Sequence, residues 1–110
     1  MPDDSRALTL LGFAAKAGRL SFGMDASLKA IRKRKSFLIL AAGDVSEKSQ
    51  KEIAFFAKKG SVSFVLLERH DIKTVSDAVG RRCGILSVND SGFADAFLKA
   101  YVEGGNACDE

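Results

Sequence analysis

The sequence predicts an α/β domain in which one sheet carries helices on both faces. Three observations lead there. Helical and extended periodicities alternate along the chain, a pattern that gathers the strands into one sheet and lays the intervening helices across it. Residues 37–42, Phe-Leu-Ile-Leu-Ala-Ala, are apolar without interruption, as a strand buried on both faces must be. The length of 110 residues suits one domain, expected to have a core over about residues 4–102 and a polar tail over 103–110.

Residues 5–17 read as the first helix. Asp4 can cap it, Leu8, Leu11 and Ala15 fall on one side, and Gly18 stands where a helix turns off. Arg19 to Phe22 form a short extended link able to act as a strand, and Gly23 then permits a turn that a Cβ would resist. Residues 25–34 read as a second helix, with Leu28 and Ile31 inward, Lys29, Arg32 and Lys33 outward, and Asp25 matching the dipole of the first turn. The apolar strand of residues 36–42 follows and Gly43 ends it. Asp44-Val45-Ser46-Glu47 has the form of a capping box, with Asp44 as acceptor and Glu47 three positions on. A third helix then runs to about Lys59, with Ile53, Phe56 and Ala57 inward and Gly60 as its stop. Val62 to Leu67 is the next strand. Asp71 can cap a short helix bearing Ile72, Val75 and Val79 and closed by Gly80, and Cys83 to Val88 is the last strand. After the turn Asn89-Asp90-Ser91-Gly92, a final helix sets Phe93, Phe97 and Tyr101 on one side, with Gly104-Gly105-Asn106 opening the tail.

Composition removes several function classes. No apolar run is long enough to span a bilayer, and the acidic start Met1-Pro2-Asp3-Asp4 is unlike a secretory leader. One His and two Cys cannot build a standard zinc site, so neither a metal nor another cofactor is expected. Cys83 and Cys108 are expected as free thiols of a cytoplasmic protein. There is no phosphate loop ending in Gly-Lys-Ser/Thr, no GxGxxG after a strand and no GxSxG. Asp44, Glu47, Glu68, Asp71, Asp77 and Asp90 mostly stand where helices need caps, and His70 is a lone loop histidine. No pair or triad suited to acid–base or nucleophilic work is present, so the chain is read as a non-enzyme.

Charge is more informative by segment than in total. The formal net charge is only +3, yet residues 1–60 hold twelve basic and six acidic side chains, and residues 90–110 hold one basic and five acidic. Lys16, Arg19, Lys29, Arg32, Lys33, Arg34 and Lys35 are opposed only by Asp25 in their stretch. Such a run is either a solvated helix face or a phosphate-binding patch. Within it, Gly23-Met24-Asp25-Ala26 leads into a basic helix. A helix N-terminus attracts phosphate through its unpaired N–H groups, Lys29 and Arg32 lie one and two turns in, and a carboxylate such as Asp25 can accept from the paired N–H donors of a guanine edge.

Residues 10–97 resemble the kink-turn RNA-binding superfamily of small ribosomal proteins, the L7Ae/L30e type, and within it the short bacterial YlxQ/YbxF-like branch. Four blocks carry the resemblance: residues 10–20 (LLGFAAKAGRL) as opening helix and turn, residues 23–31 (GMDASLKAI) as an RNA-facing loop and helix, residues 37–46 (FLILAAGDVS) as a strand and its turn, and residues 92–94 (GFA) as the start of the last helix.

The resemblance implies a three-layer α/β/α sandwich with a four-stranded mixed sheet. It also implies binding, as a monomer when free, to a sharply bent structured RNA with tandem sheared G·A pairs, ribosomal or regulatory. The implied contact residues are Gly23, Met24, Asp25, Ala26 and Lys29, with Arg32 nearby, and Asp44 and Val45 in the turn after the strand. Asp25 and Lys29 would read the G·A edges, while Lys16, Arg19, Arg32 and Lys33 would add to the phosphate field. Val65, Leu66, Leu67, Glu68 and Arg69 would form a second loop that packs on an unstacked nucleotide. Many RNA-binding members carry Glu where this chain has Ala26. An alternative therefore stands beside the first: a ribosome- or RNA-processing-associated interaction module with weak or lost RNA specificity.

Overall fold

The protein is described here by a computed structural model covering residues 5–105, with side chains over residues 5–101. Among the described residues five helices and four strands alternate: α1 (Ser5–Lys16), β1 (Leu20–Phe22), α2 (Met24–Arg32), β2 (Leu38–Ala42), α3 (Glu47–Lys59), β3 (Ser63–Leu67), α4 (Ile72–Val79), β4 (Ile85–Val88) and α5 (Ser91–Gly105). The strands form one sheet in the order β1-β4-β2-β3. β2 and β3 are parallel, whereas β4 runs antiparallel to both β1 and β2, so the sheet is mixed.

The central strand shows why the sequence must form a sandwich. Side chains alternate across a strand, so an unbroken apolar run needs a core on each face. In β2, Leu38, Leu40 and Ala42 enter the core built with α1, α4 and α5, where Leu11, Val75 and Phe97 are buried. Ile39 and Ala41 enter the opposite core, closed by Ile53 and Ala57 of α3 and flanked by Leu28 and Ile31 of α2. The result is three layers, with α1 against α4 and α5 on one side and α2 against α3 on the other. No described helix is long and apolar enough to cross a membrane.

Most element positions match the periodicity, with instructive departures. Phe37 lies just before β2 and is half exposed, although its N–H still donates to Val88 O of β4. The α3 cap is Ser46, whose hydroxyl accepts from the Ser49 N–H, so Asp44 is not the capping-box acceptor. Asp71 and Asp90 cap as expected, accepting from the N–H groups of Thr74 and Phe93. α5 continues through Gly104 and Gly105, since glycine weakens a helix without forbidding it. Cys83 is a buried free thiol, and desolvation raises its pKa, which keeps it protonated and poorly nucleophilic. Asp4 and Cys108 lie outside the described residues.

Leu40 sits at the centre of the sheet with 1% of its surface exposed. Leu40→Ala is expected to lower unfolding stability by about 2–5 kcal/mol, read from urea denaturation.

Candidate nucleic-acid interface

Four loops meet at one end of the sheet: the end of β1, the start of β4, the end of β2 and the end of β3. Backbone hydrogen bonds tie them side by side. The Gly23 N–H donates to Ile85 O at 2.7 Å, the Ala42 N–H to Gly84 O at 2.8 Å, and the Gly43 N–H to His70 O at 2.8 Å. With strands about 4.8 Å apart, the rim from Gly23 to Glu68 is about 14 Å wide. Close packing of the loops requires Gly84, where a Cβ would come within 2.8 Å of Val45 Cγ2 and 3.1 Å of Ile72 Cγ1.

Gly23 holds φ at 93° and opens α2 without any side-chain cap. The contrast with α3, α4 and α5, which are capped by Ser46, Asp71 and Asp90, is sharp. The first-turn N–H groups of α2 thus remain for an outside acceptor, with the positive end of the helix dipole behind them. A Cβ at Gly23 would meet nothing within 4 Å, so the backbone faces open space. Asp25 and Lys29 are exposed four residues apart, hence on one face of α2, and neither is held in an ion pair among the described residues. Met24 and Leu28 turn inward against the α3-side core, which fixes the roll of the helix and points Asp25 and Lys29 outward. Ser27 is fully buried beneath them, and its hydroxyl has no partner among the described residues.

The remaining residues implied by the resemblance are placed differently from one another, and Val65 is partly buried against the core under α1, α4 and α5. Ala26, Val45 and Leu66 are partly buried at or beside the rim, and Glu68 is exposed there. Arg69 is exposed but lies over the Tyr101 ring at 4.7 Å from its centroid, a cation–π contact that anchors the β3–α4 loop to α5. Asp44 Oδ1 accepts from the Ile72 N–H at 2.8 Å, linking the β2–α3 turn to the start of α4. Leu67 is a correction: its side chain is 1% exposed and belongs to the core under α1, α4 and α5, so it is not a surface contact.

Four of the expected cations stand apart from this rim. Lys16 ends α1 in a hollow shared with Gly80, and Arg19 pairs with Asp90 at 3.8 Å beyond the other end of β4. Arg32 and Lys33 are carried to that far end by α2, whose nine residues cover about 13 Å. One rim cation escaped the sequence reading. Arg81, in the α4–β4 loop, lies over the ring of Phe22, the residue before Gly23, at 4.9 Å from its centroid. The Arg81-Arg82 pair between Gly80 and Gly84 was its only trace in the sequence.

Comparison with known proteins agrees with this architecture. The model of the ribosomal protein L7Ae/L30e/S12e/Gadd45 family matches residues 5–97. RNA-binding protein YlxQ of Enterococcus faecium is 26% identical over 99 residues, spanning 90% of this chain and 93% of that protein. Among solved structures, a Bacillus halodurans protein of unknown function superposes with a TM-score of 0.83 at 20% identity, covering 88% of this chain and 97% of the other. A 15.5 kDa RNA-binding protein of Giardia lamblia superposes with a TM-score of 0.70 at 14% identity, covering 88% and 82%. At these identities the two superpositions speak for the fold.

The Asp44 contact separates scaffold from surface. Asp44→Ala is expected to destabilise the fold by about 1 kcal/mol in thermal or urea unfolding, because the Ile72 N–H loses its acceptor. Asp44→Asn, which keeps an acceptor oxygen, should recover most of that loss.

Proposed function

The chain belongs to the ribosomal protein L7Ae/L30e/S12e/Gadd45 family, and from that premise we propose that it is a non-enzymatic RNA-binding protein that clamps a kink-turn in structured RNA. The observation that carries the proposal is the uncapped start of α2 at Gly23, with Asp25 and Lys29 exposed above it on a rim that four loops complete. The RNA-binding name of the Enterococcus faecium relative supports the same class of ligand.

The chemistry follows from those groups. In a duplex the base edges of A-form RNA are hard for side chains to reach, and a sharp bend with non-Watson–Crick pairs brings them out. The N–H groups of the α2 first turn take a phosphate or a base acceptor. Gly23, lacking a side chain, lets the RNA backbone come close. The Asp25 carboxylate accepts from a guanine's N1 and N2 donors, and the Lys29 ammonium donates to acceptors on the same edge. Arg81 adds charge beside Gly23 while its stacking on Phe22 limits the freedom it would lose on binding. Ala26 contributes no acceptor, so base reading rests on Asp25 and Lys29.

Calorimetric titration of a kink-turn against an unbent duplex of equal length tests this reading, with clear preference for the kink-turn expected. Equal, weak binding to both would favour the interaction-module alternative. Lys29→Ala is expected to weaken the kink-turn complex by about 1–3 kcal/mol, the size of a good base contact, and unchanged affinity would remove Lys29 from the site. Affinity should also fall linearly with salt on a log–log scale, with a shallower slope in Lys29→Ala if that lysine neutralises a phosphate.

A further inference from the structure

We propose that the opposite end of the sheet is a second, separate contact for single-stranded RNA, with the exposed Phe37 ring as its stacking platform between two cationic hollows. Phe37 is 50% exposed and forms the ridge between them. One hollow, about 570 Å³, is lined by Arg32, Arg34 and Lys59 together with Ile31 and Val62. The other, about 430 Å³, is lined by Arg19 and Lys35 with Asn89. A flexible strand is held by this combination, an aromatic face for a base and cations on either side for the flanking phosphates, and stacking tolerates any base.

The platform is rigid. The Phe37 N–H donates to Val88 O at 2.9 Å, and the preceding Ser36 is buried and bonded to Ser87 at 2.7 Å. Ser87 in turn lies 2.6 Å from Asn89 Oδ1, and Asn89 donates to Ser21 at 2.8 Å. With one proton, Ser87 donates to Asn89 while Ser36 donates to Ser87, so each link in this chain is satisfied. An aromatic side chain on a backbone pinned in this way loses little freedom when a base stacks on it.

Cations at the ends of α2 and α3 also offset the helix dipoles, which would account for Arg32, Lys58 and Lys59 without any ligand. That explanation does not reach Lys35, which lies outside the helices, or the exposed ring, and Arg19 adds its charge to the second hollow while pairing with Asp90 at 3.8 Å. Nor does it explain the backbone. α1 and α4 leave their last turns through Gly18 and Gly80 at positive φ, whereas α2 and α3 do so through Arg34 and Ser61, both at φ 59°. A non-glycine residue there is strained, and both of these strained residues line the Phe37 hollow.

The proposal shares its ligand class with the kink-turn reading, but its test is independent. Fluorescence anisotropy of the full chain with a labelled twelve-nucleotide oligouridylate, at 50 and 150 mM salt, reads this site. A kink-turn without single-stranded ends reads the Gly23 rim. Phe37→Ala is expected to weaken oligouridylate binding roughly tenfold while Phe37→Tyr retains it. The combined Arg34→Gly and Lys35→Ala variant should weaken it further at high salt, with glycine at 34 relieving backbone strain and keeping the fold intact. Lys29→Ala should leave oligouridylate affinity within twofold of wild type. The proposal is overturned if the wild-type chain does not bind the oligonucleotide at 50 mM salt, which would leave the patch to an acidic protein partner. It is equally overturned if Phe37→Ala binds like wild type, or if Lys29→Ala loses as much affinity as Phe37→Ala.

Discussion

The Gly23 rim and the Phe37 ridge both hang from the two ends of β4. The carbonyl of its first residue, Ile85, accepts from Gly23, and the carbonyl of its last, Val88, accepts from Phe37. Between them, β4 pairs antiparallel with β1 on one side and β2 on the other, so its four residues are hydrogen-bonded along both edges. A strand so enclosed has little room to slip, because a shift of one residue would turn Leu86 and Val88 out of one core and Ile85 and Ser87 out of the other. The positions of the Gly23 loop and the Phe37 ridge are therefore consequences of a single register.

Much of this was legible locally. The alternation of periods gave the elements, the unbroken apolar run of residues 37–42 gave a two-sided sheet, and Asp71 and Asp90 could be read as caps from their place before apolar stretches. The insertion of β4 between β1 and β2 could not be read from local pattern, because strand order is a long-range choice that the period of each strand does not encode. The Asp44 contact was hidden for a similar reason. Its partner, the Ile72 N–H, lies 28 residues away, whereas the spacing to Glu47 imitated a local box that Ser46 in fact serves.

The candidate site divides into residues that chain order keeps together in space and residues that it does not. Gly23, Asp25 and Lys29 are neighbours in sequence and on one helix face, so they stay together in the fold. The basic run beyond them looks like part of the same field in sequence because counting charge along a chain ignores direction. α2 starts at one end of the sheet and finishes at the other, and takes Arg32 and Lys33 with it. Leu67 failed as a contact because an edge strand still buries the side chains that face its core. Arg81 was missed because it reaches the rim from the α4–β4 loop, nearly sixty residues after Gly23.

Distance also decides how the two ends can act. The cations around Phe37 lie about 13 Å from the start of α2, farther than the screening length of about 8 Å at physiological salt. They cannot supply much field to an RNA held at Gly23. In the proposed complex the rim would rely on the α2 N-terminus, Lys29, Arg69 and Arg81, set against the carboxylates of Asp25, Asp44 and Glu68. A rim of mixed charge discriminates better than it attracts, since a carboxylate repels phosphate everywhere except where a base edge offers donors. The far end has the opposite character, with cations in excess of Asp90, which pairs with Arg19, and one exposed ring. In the two proposed roles one end would choose an RNA and the other would hold on to it, and the sheet between them would keep the two contacts at a fixed separation.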